Sequence, residues 1–169
     1  MKQYFKFLLL VCILSQSSCV KKVNDSNKLA KIQTREEKFE DKFLNKKIVA
    51  LDKLIPDHNS TKDKILFLYT GFDCQSCIDK GYEIIKKIEL LALNCEIYII
   101  SSHSNIGRDQ ERNEYYNYIY NDENELIRRE LKFVVTPMIL VLNNENIVTK
   151  FIFPTTNSDS KHIVNYLTE

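Results

Sequence analysis

Ile65-Leu66-Phe67-Leu68-Tyr69-Thr70-Gly71-Phe72-Asp73-Cys74-Gln75-Ser76-Cys77-Ile78 changes its periodicity halfway along. Residues 65–69 are a continuous apolar run of strand length, the pattern of a strand covered on both faces. Gly71 to Asp73 interrupt it. From Cys74 onward, Cys77, Ile78, Gly81, Ile84, Ile85, Ile88, Leu91 and Ala92 recur at steps of three and four. Lys80, Glu83, Lys86, Lys87 and Glu89 take the other side. This spacing predicts an amphipathic helix from Cys74 to about Leu93, packed on a sheet. Gly81 weakens such a helix by about 1 kcal/mol relative to Ala, and marks a bend or a close packing contact.

Two cysteines three residues apart at a strand-to-helix junction bring their sulfurs together within one helical turn. The first sulfur meets unpaired backbone amides and the positive end of the helix dipole, and both favour an anion. A thiolate at Cys74 is therefore populated nearer neutral pH, and the thiolate is the attacking species. Cys77, one turn later and more buried, can reach back to resolve a mixed disulfide. Cys-x-x-Cys is also half of a zinc site, but the chain has no second pair to complete one. A static bridge without turnover is the other bland reading.

On the N-terminal side of this stretch, Ile48-Val49-Ala50-Leu51 is a short strand candidate and Asp57 to Asp63 a polar loop. Glu96-Ile97-Tyr98-Ile99-Ile100 reads as a second buried strand, parallel to the first across the helical crossover. A polar stretch from Ser101 to Asn117 holds a short helix near Arg108 to Tyr115. Tyr118-Ile119-Tyr120 follows as an edge strand. Asp122 with Glu125 three residues on is a capping signal for a helix to Leu131. Met138 to Leu142, a turn at residues 143–146 and Ile147 to Phe153 form a hairpin, and Ser160 to Leu167 a last helix. Val134-Val135-Thr136-Pro137 precedes the hairpin. A proline opening a strand lacks an amide, so it suits a bend or a cis bond.

The N-terminus reads as a targeting segment. Lys2 and Lys6 lead into an apolar run from Phe7 to Leu14, then Ser15-Gln16-Ser17-Ser18-Cys19. The run is far shorter than the roughly 20 residues of a membrane span, so a secretory signal fits. Small residues ending in a cysteine resemble the cleavage box of bacterial lipoproteins, with Gln16 standing where Leu is usual. Residues 1–18 are expected to be a signal peptide, with lipid carried on Cys19. A soluble exported protein and an uncleaved anchor are the alternatives. Residues 19–47 are polar and Lys-rich, a tether whose charge suits anionic head groups or an ordinary solvated linker. The folded domain is expected over 48–169. Outside the cytosol a close cysteine pair is either a bridge or a redox centre.

The formal net charge of +1 over 169 residues lacks the basic excess of a nucleic-acid protein. Three glycines and three prolines exclude a collagen-like or low-complexity chain. Cys95 is most simply a small core residue. His103, after the second strand, is placed on the Cys74 edge of a parallel sheet, in a solvated loop or as a proton-transfer or copper partner. His58 and His162 are expected at the surface. Tyr115, Tyr116, Tyr118 and Tyr120 suit a binding face or edge-strand packing.

Strand, Cys-x-x-Cys helix, strand, helix, Thr-Pro, hairpin and terminal helix is an order that resembles the thioredoxin-like superfamily. The extra strand and capped helix between Tyr118 and Leu131 are similar to its membrane-tethered thiol–disulfide oxidoreductases. The resemblance implies an α/β three-layer sandwich with a central mixed sheet flanked by helices. It also implies that Cys74 attacks, Cys77 resolves and Pro137 is cis. The backbone at Thr136 would then pair with an extended substrate peptide, while Pro137 lies against the sulfurs and keeps metals away. The pattern is departed from in three places. Asp73 replaces a tryptophan before the first cysteine; it opposes the helix dipole at Cys74 or, in the favoured reading, caps the helix. Leu68 stands where a buried acid is frequent, and Lys80 beside Asp79 follows the second cysteine where some relatives have Glu. Gln75-Ser76 matches neither the usual reducing nor the usual oxidising dipeptide, so the redox direction stays open.

These features together lead to the expectation of an extracytoplasmic thiol–disulfide oxidoreductase on protein disulfides. It would be a monomer without cofactor or metal, would bind no nucleic acid, and would be recharged by a redox donor protein. A non-catalytic domain of the same fold, holding a protein partner or copper at the Thr136-Pro137 face, is the rival.

Overall fold

The computed structural model describes residues 39, 42–57, 61–103, 106–132 and 135–169. The expected signal peptide, Cys19, most of the tether, His58 and Val134 lie outside the described residues. Along the chain run α1 (Ala50–Leu54), β1 (Asp63–Tyr69), α2 (Gln75–Glu89), β2 (Cys95–Ser101) and α3 (Ile106–Asn113). Then come β3 (Ile119–Asn121), α4 (Leu126–Glu130), β4 (Met138–Leu142), β5 (Val148–Ile152) and α5 (Ser160–Thr168).

The five strands form one mixed sheet in the order β3-β2-β1-β4-β5. β1 is central, parallel to β2 and antiparallel to β4; β3 is a parallel edge, and β4 and β5 form the antiparallel hairpin. The alternation of β1 divides the core. Leu66 and Leu68 face Leu51, Ile127, Met138 and Leu140 on one side. Ile65, Phe67 and Tyr69 face Ile78, Tyr82, Ile85 and Ile163 on the other. Helices α2 and α5 thus cover one face and α1 with α4 the other, the three layers expected.

Gly81 marks a close contact. A Cβ there would fall 2.1 Å from Phe67 Cζ, so its absence lets α2 sit directly on the central strand. That closeness places the start of α2 above the carboxyl end of β1, in the middle of the sheet edge.

The structure departs from the sequence expectations in three places. Residues 48–51 do not form a strand. Ala50 opens the short α1, and the Glu130 carboxylate accepts from the amides of Val49 at 2.8 Å and Ala50 at 2.7 Å. The cap comes from 80 residues away, so no local pattern announces it. The core also reaches upstream of Ile48: Phe43 is fully buried, with its ring edge-on to Phe151 at 5.2 Å. Finally, α2 stops at Glu89 rather than near Leu93. Ala92 takes a left-handed φ of 48°, and Leu90, Leu91 and Leu93 are exposed.

The Asp122 signal operates, with a changed partner. Asp122 is buried and its carboxylate accepts from the amides of Leu126 at 2.8 Å and Ile127 at 3.1 Å. Glu125 pairs with Arg128 instead of closing the box. Among the described residues no helix is long and apolar enough to cross a membrane.

Candidate functional site

Thr70 to Asp73 carry the chain from the end of β1 over the edge of the sheet, and Cys74 becomes the N-cap of α2. Its carbonyl accepts from the amides of Cys77 at 2.9 Å and Ile78 at 3.0 Å, which closes the first turn. The Cys74 side chain is exposed and Cys77 partly buried, and neither is in a disulfide. Ser76 Oγ lies 3.1 Å from Cys74 Sγ. Hydrogen bonds from the Cys77 thiol, then from the Ser76 hydroxyl and the first-turn amides, bring the Cys74 thiol down from 9.0 to about 7. Burial, and then the neighbouring Cys74 sulfur, push Cys77 up. One sulfur is thus poised to ionise near neutral pH while its partner keeps its proton, an asymmetry that separates an attacking thiol from a resolving one.

Asp73 does not cap α2. The helix has no side-chain cap, and both carboxylate oxygens are engaged elsewhere. Oδ2 accepts from the Thr70 amide at 2.6 Å, and Oδ1 accepts from Thr136 Oγ1 at 2.8 Å. The acid is spent on joining two loops because the turn folds it back over the end of β1. The Thr136-Pro137 bond is cis and Pro137 is buried at the start of β4, next to β1 in the sheet. The sheet therefore brings the Thr136-Pro137 loop and the cysteine turn to one edge. Beside them Phe72 is fully exposed and Val135 partly so, which leaves apolar surface on the rim of the site.

His103 belongs to the same edge. A Cβ on Gly71 would lie 1.8 Å from His103 Cδ2, so glycine is what lets the imidazole pack against the turn. His162 is exposed on α5. Cys95 is half-buried and burial pushes its thiol up. Among the described residues no group of three His, Cys, Asp or Glu is placed to hold a metal ion.

Leu68 is buried against Met138 and Leu140 on the opposite face. Between α2 and the sheet lie phenols instead: Tyr69 of β1 and Tyr82 of α2 share a hydrogen bond at 2.9 Å. Burial, and secondarily the Asp109 carboxylate, push Tyr69 up to about 12. Of the other tyrosines, Tyr115 is buried and donates to Glu89 at 2.8 Å, whereas Tyr116 and Tyr118 are exposed.

Thr156 is the site residue that sequence reasoning missed. It lies in the loop between β5 and α5, where Thr156 Oγ1 is 3.0 Å from Ser76 Oγ, and hydrogen bonding from its hydroxyl and amide partly offsets the rise in the Cys77 thiol. It belongs to no motif and lies 80 residues from Ser76, so only the packing of α5 against α2 reveals it.

No protein-family model matches the chain, and no curated protein matches it. Solved structures do. A secreted disulfide oxidoreductase of Mycobacterium tuberculosis, homologous to E. coli DsbE, is 13% identical with a TM-score of 0.52; the match covers 63% of this chain and 81% of that one. StoA from Bacillus subtilis is 14% identical with a TM-score of 0.52, over 64% of this chain and 84% of that one. The thioredoxin domain of a Bacteroides vulgatus thiol–disulfide oxidoreductase is 14% identical with a TM-score of 0.50, over 65% and 81%. At these identities the likeness establishes the fold, which is thioredoxin-like.

Proposed function

We propose that the protein is an extracytoplasmic thiol–disulfide oxidoreductase acting on protein disulfides through Cys74 and Cys77. The observation that carries this reading is the asymmetry of the pair. The exposed sulfur at the head of α2 is drawn down to about 7, and its neighbour one turn later is part-buried and pushed up. In the reducing direction, the Cys74 thiolate attacks one sulfur of a substrate disulfide. A Cys74–substrate bond forms, and the other substrate sulfur leaves and takes up a proton. Cys77 then attacks Cys74 Sγ, forming the Cys74–Cys77 disulfide and releasing the second substrate thiol. Two electrons pass to the substrate, and a donor protein's dithiol restores the pair.

The loop at Thr136 and Pro137 is the surface on which the substrate backbone would lie, with Phe72 and Val135 meeting its side chains. The extracytoplasmic setting rests on residues 1–19, whose charged start, short apolar run and Ser-Ser-Cys ending fit export and lipid attachment at Cys19. No bound cofactor is required, because the electrons reside in the sulfurs.

Insulin reduction with dithiothreitol as donor tests the activity. Turnover that disappears in Cys74→Ser, together with protein adducts that accumulate in Cys77→Ser, supports the reading. Wild-type-like turnover in Cys74→Ser would sink it. Anchoring is separable: Cys19→Ala should move the protein from the membrane fraction to the soluble one.

A further inference from the structure

We infer that the hydroxyls of Ser76 and Thr156 bridge the two sulfurs and carry the proton that Cys77 loses when it resolves a mixed disulfide. This rests on the thiol–disulfide reading above and supplies a proton path for it. Ser76 Oγ stands 3.1 Å from Cys74 Sγ and 3.0 Å from Thr156 Oγ1, so a single hydroxyl touches both the nucleophile and the distant loop. Hydrogen bonding from Thr156, through its hydroxyl and its amide, partly offsets the rise in the Cys77 thiol. The polar chain thus runs from Cys77 Sγ through Thr156 Oγ1 and Ser76 Oγ to Cys74 Sγ.

The resolving step needs such a path. Cys77 holds its proton at neutral pH, because burial and the adjacent sulfur disfavour its anion. The position six residues before Cys74 is Leu68, packed on the far face of the sheet, so it offers no carboxylate. Ser76 and Thr156 are exposed in the free protein. A substrate joined to Cys74 would lie over these two hydroxyls, the first 3.1 Å from Cys74 Sγ and the second 3.0 Å beyond it, and would shield them from water.

The step balances in one pass. Cys77 gives its proton to Thr156 Oγ1, which gives its own to Ser76 Oγ, and Ser76 gives its own to the departing substrate sulfur. The Cys77 electron pair forms the bond to Cys74 Sγ as the Cys74–substrate bond breaks, and its electron pair leaves on the substrate sulfur. Both hydroxyls end as they began. Thr156 takes the proton from Cys77, and Ser76 delivers one to the leaving group.

The test mixes the reduced full-length protein with oxidised glutathione or with dithiobis(nitrobenzoate). Acid-quenched samples are read by mass spectrometry for the Cys74 mixed disulfide and its conversion to Cys74–Cys77. The leaving thiolate of glutathione needs a proton, whereas thionitrobenzoate departs as a stable anion. Ser76→Ala, which removes delivery to the leaving group, should lower the ratio of resolution to capture about tenfold with glutathione and by no more than about twofold with thionitrobenzoate. Thr156→Val, which blocks departure of the Cys77 proton in either case, should lower it about tenfold with both. Thr156→Ser should restore the ratio. Equal slowing of Ser76→Ala with both leaving groups would mean that its hydroxyl delivers no proton to the departing sulfur, and would overturn the relay. Wild-type ratios in both variants would overturn it as well. A wild-type protein that forms the glutathione adduct without resolving it would instead remove the oxidoreductase reading itself.

Discussion

Asp73 Oδ1 accepts a hydrogen bond from Thr136 Oγ1 at 2.8 Å and so ties the turn before Cys74 to the loop of the cis proline. The other carboxylate oxygen holds the Thr70 amide at 2.6 Å. One acid therefore sets the separation of two loops that meet only in the folded protein.

Breaking this tie should cost stability in a defined pattern. Thr136→Val removes one neutral donor to a carboxylate and should cost about 1–2 kcal/mol. Asp73→Ala also strands the amide of Thr70, a buried residue, and should cost about 2–3 kcal/mol. Urea denaturation of the single and double variants checks both. If the two costs add to within about 0.5 kcal/mol, the contact is energetically idle.

Alkylation of Cys74 by iodoacetamide, followed on its own peptide, should rise with pH through a midpoint of about 7 and level off above it. The sign follows from the thiolate being the reactive form: below the midpoint the sulfur is protonated and the rate falls tenfold per pH unit. Cys77→Ala removes the largest stabilising hydrogen bond and should move the midpoint upward, and Ser76→Ala should do so by a smaller amount. A midpoint unmoved by Cys77→Ala would leave the helix amides as the main cause.

At Gly81 two effects oppose each other. Alanine gains about 1 kcal/mol of helix propensity. Its Cβ would meet Phe67 Cζ at 2.1 Å, with Phe67 buried in the central strand. Overpacking of this kind costs about 1–3 kcal/mol or more, so Gly81→Ala should be destabilised overall. Adding Phe67→Leu should recover part of the loss, and thermal unfolding of the two variants decides the matter.

Glu130→Ala should destabilise the fold by about 1–2 kcal/mol, as the loss of a helix cap does. The two amides it serves, at Val49 and Ala50, begin a helix that packs under the sheet. Hydrogen exchange should show the opening confined first to residues 49–54. Uniform exchange across the chain would place the cap among the last contacts to break.

The sequence by itself determined the elements whose signals are local. The apolar run at 65–69, the three-and-four spacing after Cys74 and the alternating hairpin each depend on neighbours within a few residues, so periodicity reports them. The cysteine pair at the helix start was legible for the same reason, since one helical turn is a local structure. The structure places Pro137 in the cis form and at the edge where the Thr-Pro motif was expected.

Tertiary structure decided what depends on groups far apart in the chain. The helix at Ala50 exists where a strand was expected because Glu130 satisfies its first amides. Asp73 reads as a cap in sequence, yet its oxygens are claimed by Thr70 and by Thr136, 63 residues on. Thr156 carries no motif and reaches the cysteines only because its loop leads into α5, packed against α2. A hydrogen bond is specific in space and silent in sequence, so the cysteine pair was readable along the chain while the groups that surround it were not.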